Sequence, residues 1–216
     1  MAVTCYAIRH RMLIKINRQD AIAKYPKLPL RAYNSKEEDY DFFYPETFTG
    51  YVLTLPSKSF KGHIKLLGTE ISDLTTRLGF DKLIFLGDII TPWLYRDHNF
   101  KQAKEGLQFL VDNKIGKRFN GALQVGTDQL PTFIKHLSWL VRTNAILPYV
   151  HFIDPGQNVI GTICKYGNLH IYTVNKKADK PLKELIDKSK FEHLTDGTCD
   201  NKFSKNGVIK GRQIKV

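Results

Sequence analysis

The sequence predicts an α/β fold: a layered domain with a mixed, partly parallel sheet that ends in an antiparallel meander, with helices packed on the sheet. Two observations carry this. Between residues 50 and 143, short apolar runs alternate with longer stretches whose apolar residues recur every three or four positions, the pattern of alternating strands and helices. From 149 to 175, three strand-like runs follow with only "DPGQ" and "GN" between them, turns too short for a parallel crossover. At 216 residues and 42% hydrophobic, the chain is long and apolar enough for a packed core rather than a disordered coil.

The first element reads as a strand. In "VTCYAIRHRMLIKIN", Tyr6, Ile8, His10, Met12, Ile14 and Ile16 share one face and Arg9, Arg11 and Lys15 the other, a period of two with one basic side. A short helix fits within 18–33, stopped by Pro26 and Pro29. "SKEEDYD" (35–41) reads as an acidic, exposed link. The expected organisation is therefore a basic strand and helix (1–34), an acidic linker (35–49), an α/β core (50–196) and a basic tail (197–216).

Within the core, "GYVLTLP" (50–56) is a buried strand. Phe60, Ile64, Leu67, Ile71, Leu74 and Leu78 then form one helical stripe, with Gly79 placed to end it. "KLIFLG" (82–87) is the second core strand. Ala103, Leu107, Leu110, Val111 and Ile115 mark the next helix, stopped near Gly116. "GALQVG" (121–126) is the third strand. Thr127 or Asp128 is placed to cap a helix whose apolar face holds Phe133, Ile134, Leu137, Leu140 and Val141. After the meander, a final helix is expected around 181–194 with Pro181 in its first turn. Beyond Gly197 the chain is polar and basic, expected to be mobile or ordered by a partner.

No apolar run approaches the roughly 18–20 residues that cross a bilayer, and Arg9, His10 and Arg11 interrupt any signal-peptide core. The expectation is a soluble protein of the cytoplasm or another reducing intracellular compartment, with no membrane partner. Cys5, Cys164 and Cys199 are odd in number, widely spaced and without C-x-x-C. Reduced thiols are expected rather than a disulfide framework or a cysteine-rich zinc site, and a nucleophilic cysteine stays open.

Nearly all of the net charge of +12 sits at the chain ends. Residues 1–31 hold seven Lys/Arg against Asp20, and residues 201–216 hold five with no acid. Such a layout attracts a polyanion, and nucleic acid is the expected partner. The residues expected to meet it are Arg9, Arg11, Lys15, Lys202, Lys205, Lys210, Arg212 and Lys215. The hairpin "ICKYGNLHIYTVNKK" interleaves Lys165, Tyr166, His170, Tyr172, Lys176 and Lys177. These suit either base stacking or cross-strand pairing.

In open α/β sheets, ligands bind beyond the carboxyl ends of parallel strands. Three segments would converge there if their strands are parallel neighbours. Ser57, Lys58, Ser59 and Lys61 suit an anion at a helix N-terminus. Asp88 and His98, in "LIFLGDIITPWLYRDHNF", are the candidate catalytic pair. Asp88 and Asp128 are candidate ligands for a divalent metal, the one cofactor suggested, since carboxylates are hard oxygen donors. Each has a competing local role: Ser57, Ser59 and Asp128 as helix caps, Asp154 in the "DPG" turn, His98 with Asp97 as a solvated pair. Trp93 and Tyr95 suit a lid over the sheet end, and His136 and His151 lie in core-like patterns. Asp88 alone has no evident cap or turn role.

The phosphate-loop, dinucleotide-fingerprint and nucleophile-elbow motifs are absent. "LIFLGDII" with "YGNLH" resembles the G-D and G-N-H blocks of metallophosphoesterases. The chain departs from that pattern at Thr91, where a second Asp belongs. His170 comes one residue late, no D-x-H precedes the first block, and nothing carries over. Three functional readings remain: a polyanion-binding protein, a small metal- or phosphate-dependent enzyme at the strand ends, or a structural or inhibitory protein with an acidic protein partner.

Overall fold

The computed structural model describes residues 13–94, 96–143, 147, 149–194, 199, 201–204 and 208–212, with Ala32 and Tyr33 as backbone only. Arg9, Arg11, Tyr95, Lys205 and Lys215 lie outside the described residues.

The chain runs β1 (Leu13–Ile16), α1 (Arg18–Lys24), β2 (Leu30–Asn34), β3 (Asp39–Phe43), β4 (Thr49–Thr54), α2 (Phe60–Arg77), β5 (Lys82–Leu86), α3 (Lys101–Asp112), β6 (Ala122–Gly126), α4 (Leu130–Thr143), β7 (His151–Ile153), β8 (Val159–Ile163), β9 (Leu169–Thr173), α5 (Lys176–Asp187) and β10 (Glu192–His193). Eight strands form one sheet in the order β1-β6-β5-β7-β8-β9-β4-β10, and β2 and β3 form a separate ribbon.

The α/β class and the β7–β8–β9 meander are as expected. The partly parallel sheet is not: every pairing between neighbours is antiparallel. The reason lies in strand order. β4 and β5 run the same way, as a strand–helix–strand crossover requires, but β7, β8 and β9 slot between them. β6 and β7 also run the same way, with β5 between them. Between β5 and β6, residues 89–93 stay at the edge where β5 ended, bonded to residues 119–121, so β6 sets out from that same edge and runs back along β5. Phe85 pairs with Leu123 and Lys82 with Gly126.

Alternation along each strand divides the core in two. Leu83 and Phe85 of β5 face α2, α3 and α4, packing with Leu67, Ile71, Leu110, Phe133 and Leu137. Ile84 and Leu86 face the other way, onto Ala21 and Tyr25 beside Ile153 and Ile160. Helices α2 to α5 thus cover one face, and the short α1 covers part of the other.

Other elements depart locally from expectation. In β1 it is Leu13 that is buried, while Ile14 is 54% exposed, because both faces of that strand are only partly covered. "SKEEDYD" is no plain link: its first residues form the turn of the β2–β3 ribbon, with Glu38 in the left-handed region at φ 53. Val111 points to solvent rather than into the α3 stripe. Helix α5 starts earlier than Pro181, because the Asn175 side chain accepts from Ala178 N–H and sets the start one turn upstream.

His151 is buried on the α1 face of the sheet. Its Nδ1 lies 3.3 Å from the Tyr149 carbonyl and its Nε2 2.7 Å from the Tyr44 hydroxyl, as a neutral imidazole requires. Burial lowers its pKa from 6.5 to about 4. Between those values the unfolded chain binds a proton that the folded chain does not, so stability is lost as pH falls from about 6.5 through about 4. By pH 4.5 the loss reaches about 2–3 kcal/mol at one pKa unit per 1.36 kcal/mol. Urea unfolding at pH 7 and pH 4.5 should show His151→Gln losing less than the wild type. An equal loss in both proteins would remove His151 from the account.

Candidate functional site

Because β6 runs opposite to β5, the three segments expected to converge do not share one edge. Asp88 follows the end of β5, whereas Asp128 lies in the 3-10 turn Thr127–Gln129, beside the start of β5. Asp88 and Asp128 therefore sit at opposite ends of that strand and do not make a joint metal site. Ser57–Lys61 do lie at the Asp88 edge, but β4 and β5 are four strand positions apart, roughly 19 Å at ~4.8 Å per strand.

Asp88 has the structural partner that the sequence hid. Its carboxylate is buried and ion-paired with Arg31 of β2. The other carboxylate oxygen accepts from Ile90 N–H at 3.3 Å. The Arg31 guanidinium lies 3.9 Å from the centroids of both the Tyr40 and Tyr149 rings. The cavity there measures about 10 Å³, room for no more than a water molecule. Arg18 reinforces the same loop, donating to the carbonyls of Gly87 and Asn120 at 2.9 and 3.0 Å.

His98 lines a different cavity, of about 390 Å³, with Arg96, Asp97, Lys104 and Lys117. Its Nδ1 accepts from Phe100 N–H at 3.0 Å, which places the proton on Nε2, a buried atom with no hydrogen-bond partner among the described residues. Trp93 is buried and donates from Nε1 to the Gly121 carbonyl. Asp154 accepts from the N–H groups of Gly156, Asn158 and Val159, a turn-forming role as expected.

The expected anion segment divides. Ser59 caps α2 by accepting from Gly62 N–H, and Ser57 donates to the Ser59 carbonyl. Lys58 is exposed. Lys61 turns into a groove of about 510 Å³ between α2, α3 and α4. Lys65 of α2, Lys101 of α3 and Lys135 of α4 line it as well, with Trp139 along the wall and Glu105 as the single acid among the described residues. All four lysines are exposed. Sequence reading missed this groove because its cations come from three helices, each unremarkable alone.

The basic ends are partly engaged. Arg212 donates to the carbonyls of Val141 and Arg142. Lys202 pairs with Glu192 at 3.6 Å. Lys15 donates to the Lys114 carbonyl and lies over the Phe119 ring. Lys210 is exposed.

A second cluster was not foreseen. Cys164 sits at the turn after β8, His170 is the second residue of β9, and Cys199 lies in the C-terminal segment. Ile163, Leu169 and Ile171 pack under the helices, so alternation places Cys164 and His170 on the opposite face of the sheet. The two sulfurs are 3.7 Å apart, and Cys199 Sγ is 2.9 Å from His170 Nε2. Cys199 is lowered to about 5, first by its hydrogen bond from the Cys164 thiol and then by Asn168 and His170, against the cost of burial. Cys164 is correspondingly pushed up by that same bond and by burial, so the proton stays on Cys164. Comparison with protein-family models, with curated protein sequences and with solved structures gives no match for this chain.

Proposed function

We propose that the protein binds a polyanion, nucleic acid above all, in the groove between α2, α3 and α4, with the basic terminal segments adding to the attraction. The observation that carries this reading is the convergence of Lys61, Lys65, Lys101 and Lys135 on one groove with Glu105 as its only acid among the described residues. Exposed ammonium groups from three rigid helices suit a phosphate backbone, and Trp139 offers a ring face for an unpaired base. The net charge of +12 steers such a partner toward the surface over long range. The rival enzyme reading rests on Asp88, which is already paired with Arg31. An acidic protein partner would use the same lysines and is separated by competition with polyglutamate.

Neutralising about four phosphates gives a slope of log K against log[salt] of roughly −3 to −4, for single or double strands. Replacing Lys65 and Lys101 by alanine should reduce that slope by about two, near one per lysine. Glu105→Gln should tighten binding. The tail is tested by Lys205→Ala with Lys215→Ala rather than by deletion, because deletion would also strip Phe203 from the Phe60 and His63 rings. Fluorescence anisotropy with a labelled oligonucleotide, titrated at several salt concentrations, makes the measurement. Unchanged affinity and slope in the Lys65/Lys101 double variant would sink the groove as the binding surface.

A further inference from the structure

We infer that Cys164, His170 and Cys199 form a binding site for a soft or borderline divalent cation, Zn²⁺ foremost, that ties the C-terminal segment to the β8–β9 hairpin. This inference is independent of the polyanion groove, which lies among the helices on the other face of the sheet.

The geometry comes first. Among the described residues this is the one group of three or more His, Cys, Asp or Glu side chains whose ligand atoms all fall within 4.8 Å of one another. Two sulfurs on a tetrahedral zinc, each about 2.3 Å from the metal, are held about 3.8 Å apart. The sulfurs here are 3.7 Å apart. A disulfide would instead require them at about 2.05 Å. His170 Nε2, at 2.9 Å from Cys199 Sγ, sits closer than the roughly 3.6 Å expected around a zinc, so metal entry calls for a small rotation of a half-buried side chain.

The surroundings are those of a thiolate site. The backbone amides of Tyr166 and Asn168 face the Cys164 sulfur. The Asn168 side chain faces the Cys199 sulfur, and its buried Nδ2 has no nitrogen or oxygen partner among the described residues. Gly167, at φ 88, allows the tight turn that folds those amides back. Donors aimed at ligand sulfurs are the usual outer support of a thiolate metal site. Two thiolates also neutralise a divalent ion, which matters where Arg142 and Lys165 stand close by. The two sulfurs and one imidazole select zinc-like metals over Mg²⁺ or Ca²⁺, which prefer oxygen. Three protein ligands leave one tetrahedral position.

The test uses the full-length, reduced chain. Against a chromophoric chelator it should take up a single Zn²⁺. Co²⁺ in its place should give the strong visible bands of tetrahedral cobalt together with sulfur-to-metal charge transfer. Zn²⁺ should raise Tm and slow tryptic cleavage at the exposed Lys202. Cys199→Ser and His170→Gln should each weaken uptake by about a hundredfold or more, while Cys5→Ser keeps it. Circular dichroism checks that the variants fold, and the cobalt spectrum of the wild type reads the site without any variant. Three results overturn the inference: no uptake by the reduced wild type at micromolar metal, uptake undiminished in both Cys199→Ser and His170→Gln, or a Cys164–Cys199 disulfide in a chain that takes up no metal once reduced.

Discussion

Asp88→Asn should lower stability by about 3–5 kcal/mol, the largest loss expected of any single change considered. The carboxylate is almost wholly buried, at 2% side-chain exposure, and its partner Arg31 is at 13%. Asparagine keeps the shape and the Ile90 turn but leaves a guanidinium between two tyrosine rings without a counter-charge. The cost is that of the orphaned cation rather than of the lost attraction, so Arg31→Met with Asp88→Leu should recover much of it. Urea unfolding of both singles and the double gives the coupling energy directly. A loss below about 1 kcal/mol for Asp88→Asn would mean that the pair is open to water. The pair also pins the β2–β3 ribbon to the end of β5, so proteolysis within 30–43 should accelerate in the same variant.

Leu67→Ala should cost about 2–5 kcal/mol. Leu67 is fully buried at the centre of the α2 stripe, where α2 crosses α4. The helices approach so closely there that a Cβ on Gly68 would lie 2.9 Å from the Pro131 backbone. A rigid contact of that kind cannot collapse into the void left by the leucine, which places the cost toward the upper part of the range. Chemical denaturation measures it. A cost near 1 kcal/mol would show that the two helices slide together.

What could be read from the sequence was whatever repeats within a dozen residues. The α2 stripe has a period that fixes the helix and its buried face, the unbroken apolar run "KLIFLG" marks a strand buried on both faces, and the short turns of the β7–β9 meander fix its antiparallel pairing. Strand order has no such period. β4 pairs with β9 and β1 with β6, each across more than a hundred residues, and nothing local separates a parallel arrangement from the observed one. The ribbon was hidden because its turn is acidic and its strands pair with each other rather than with the main sheet. The Arg31 partner of Asp88 was hidden by 57 residues of separation. The Cys/His cluster left half a trace: a cysteine entering a hairpin turn with a histidine on the returning strand. The third ligand, twenty-nine positions later in Cys199, is supplied only by the fold.

The sheet order has a consequence for how the chain is made. β4 emerges early in synthesis, yet its two neighbours, β9 and β10, belong to the last quarter of the sequence. At about 5–20 residues per second, the ribosome needs roughly 6–25 seconds to deliver β9 after β4. Throughout that interval a strand carrying Tyr51 and Leu53 has both hydrogen-bonding edges open, and until α4 is made the α2 helix after it cannot bury its stripe. The nascent chain therefore passes through a long aggregation-prone window that the finished protein does not show. Its yield should respond more to translation rate and chaperone supply than to the stability of the completed fold.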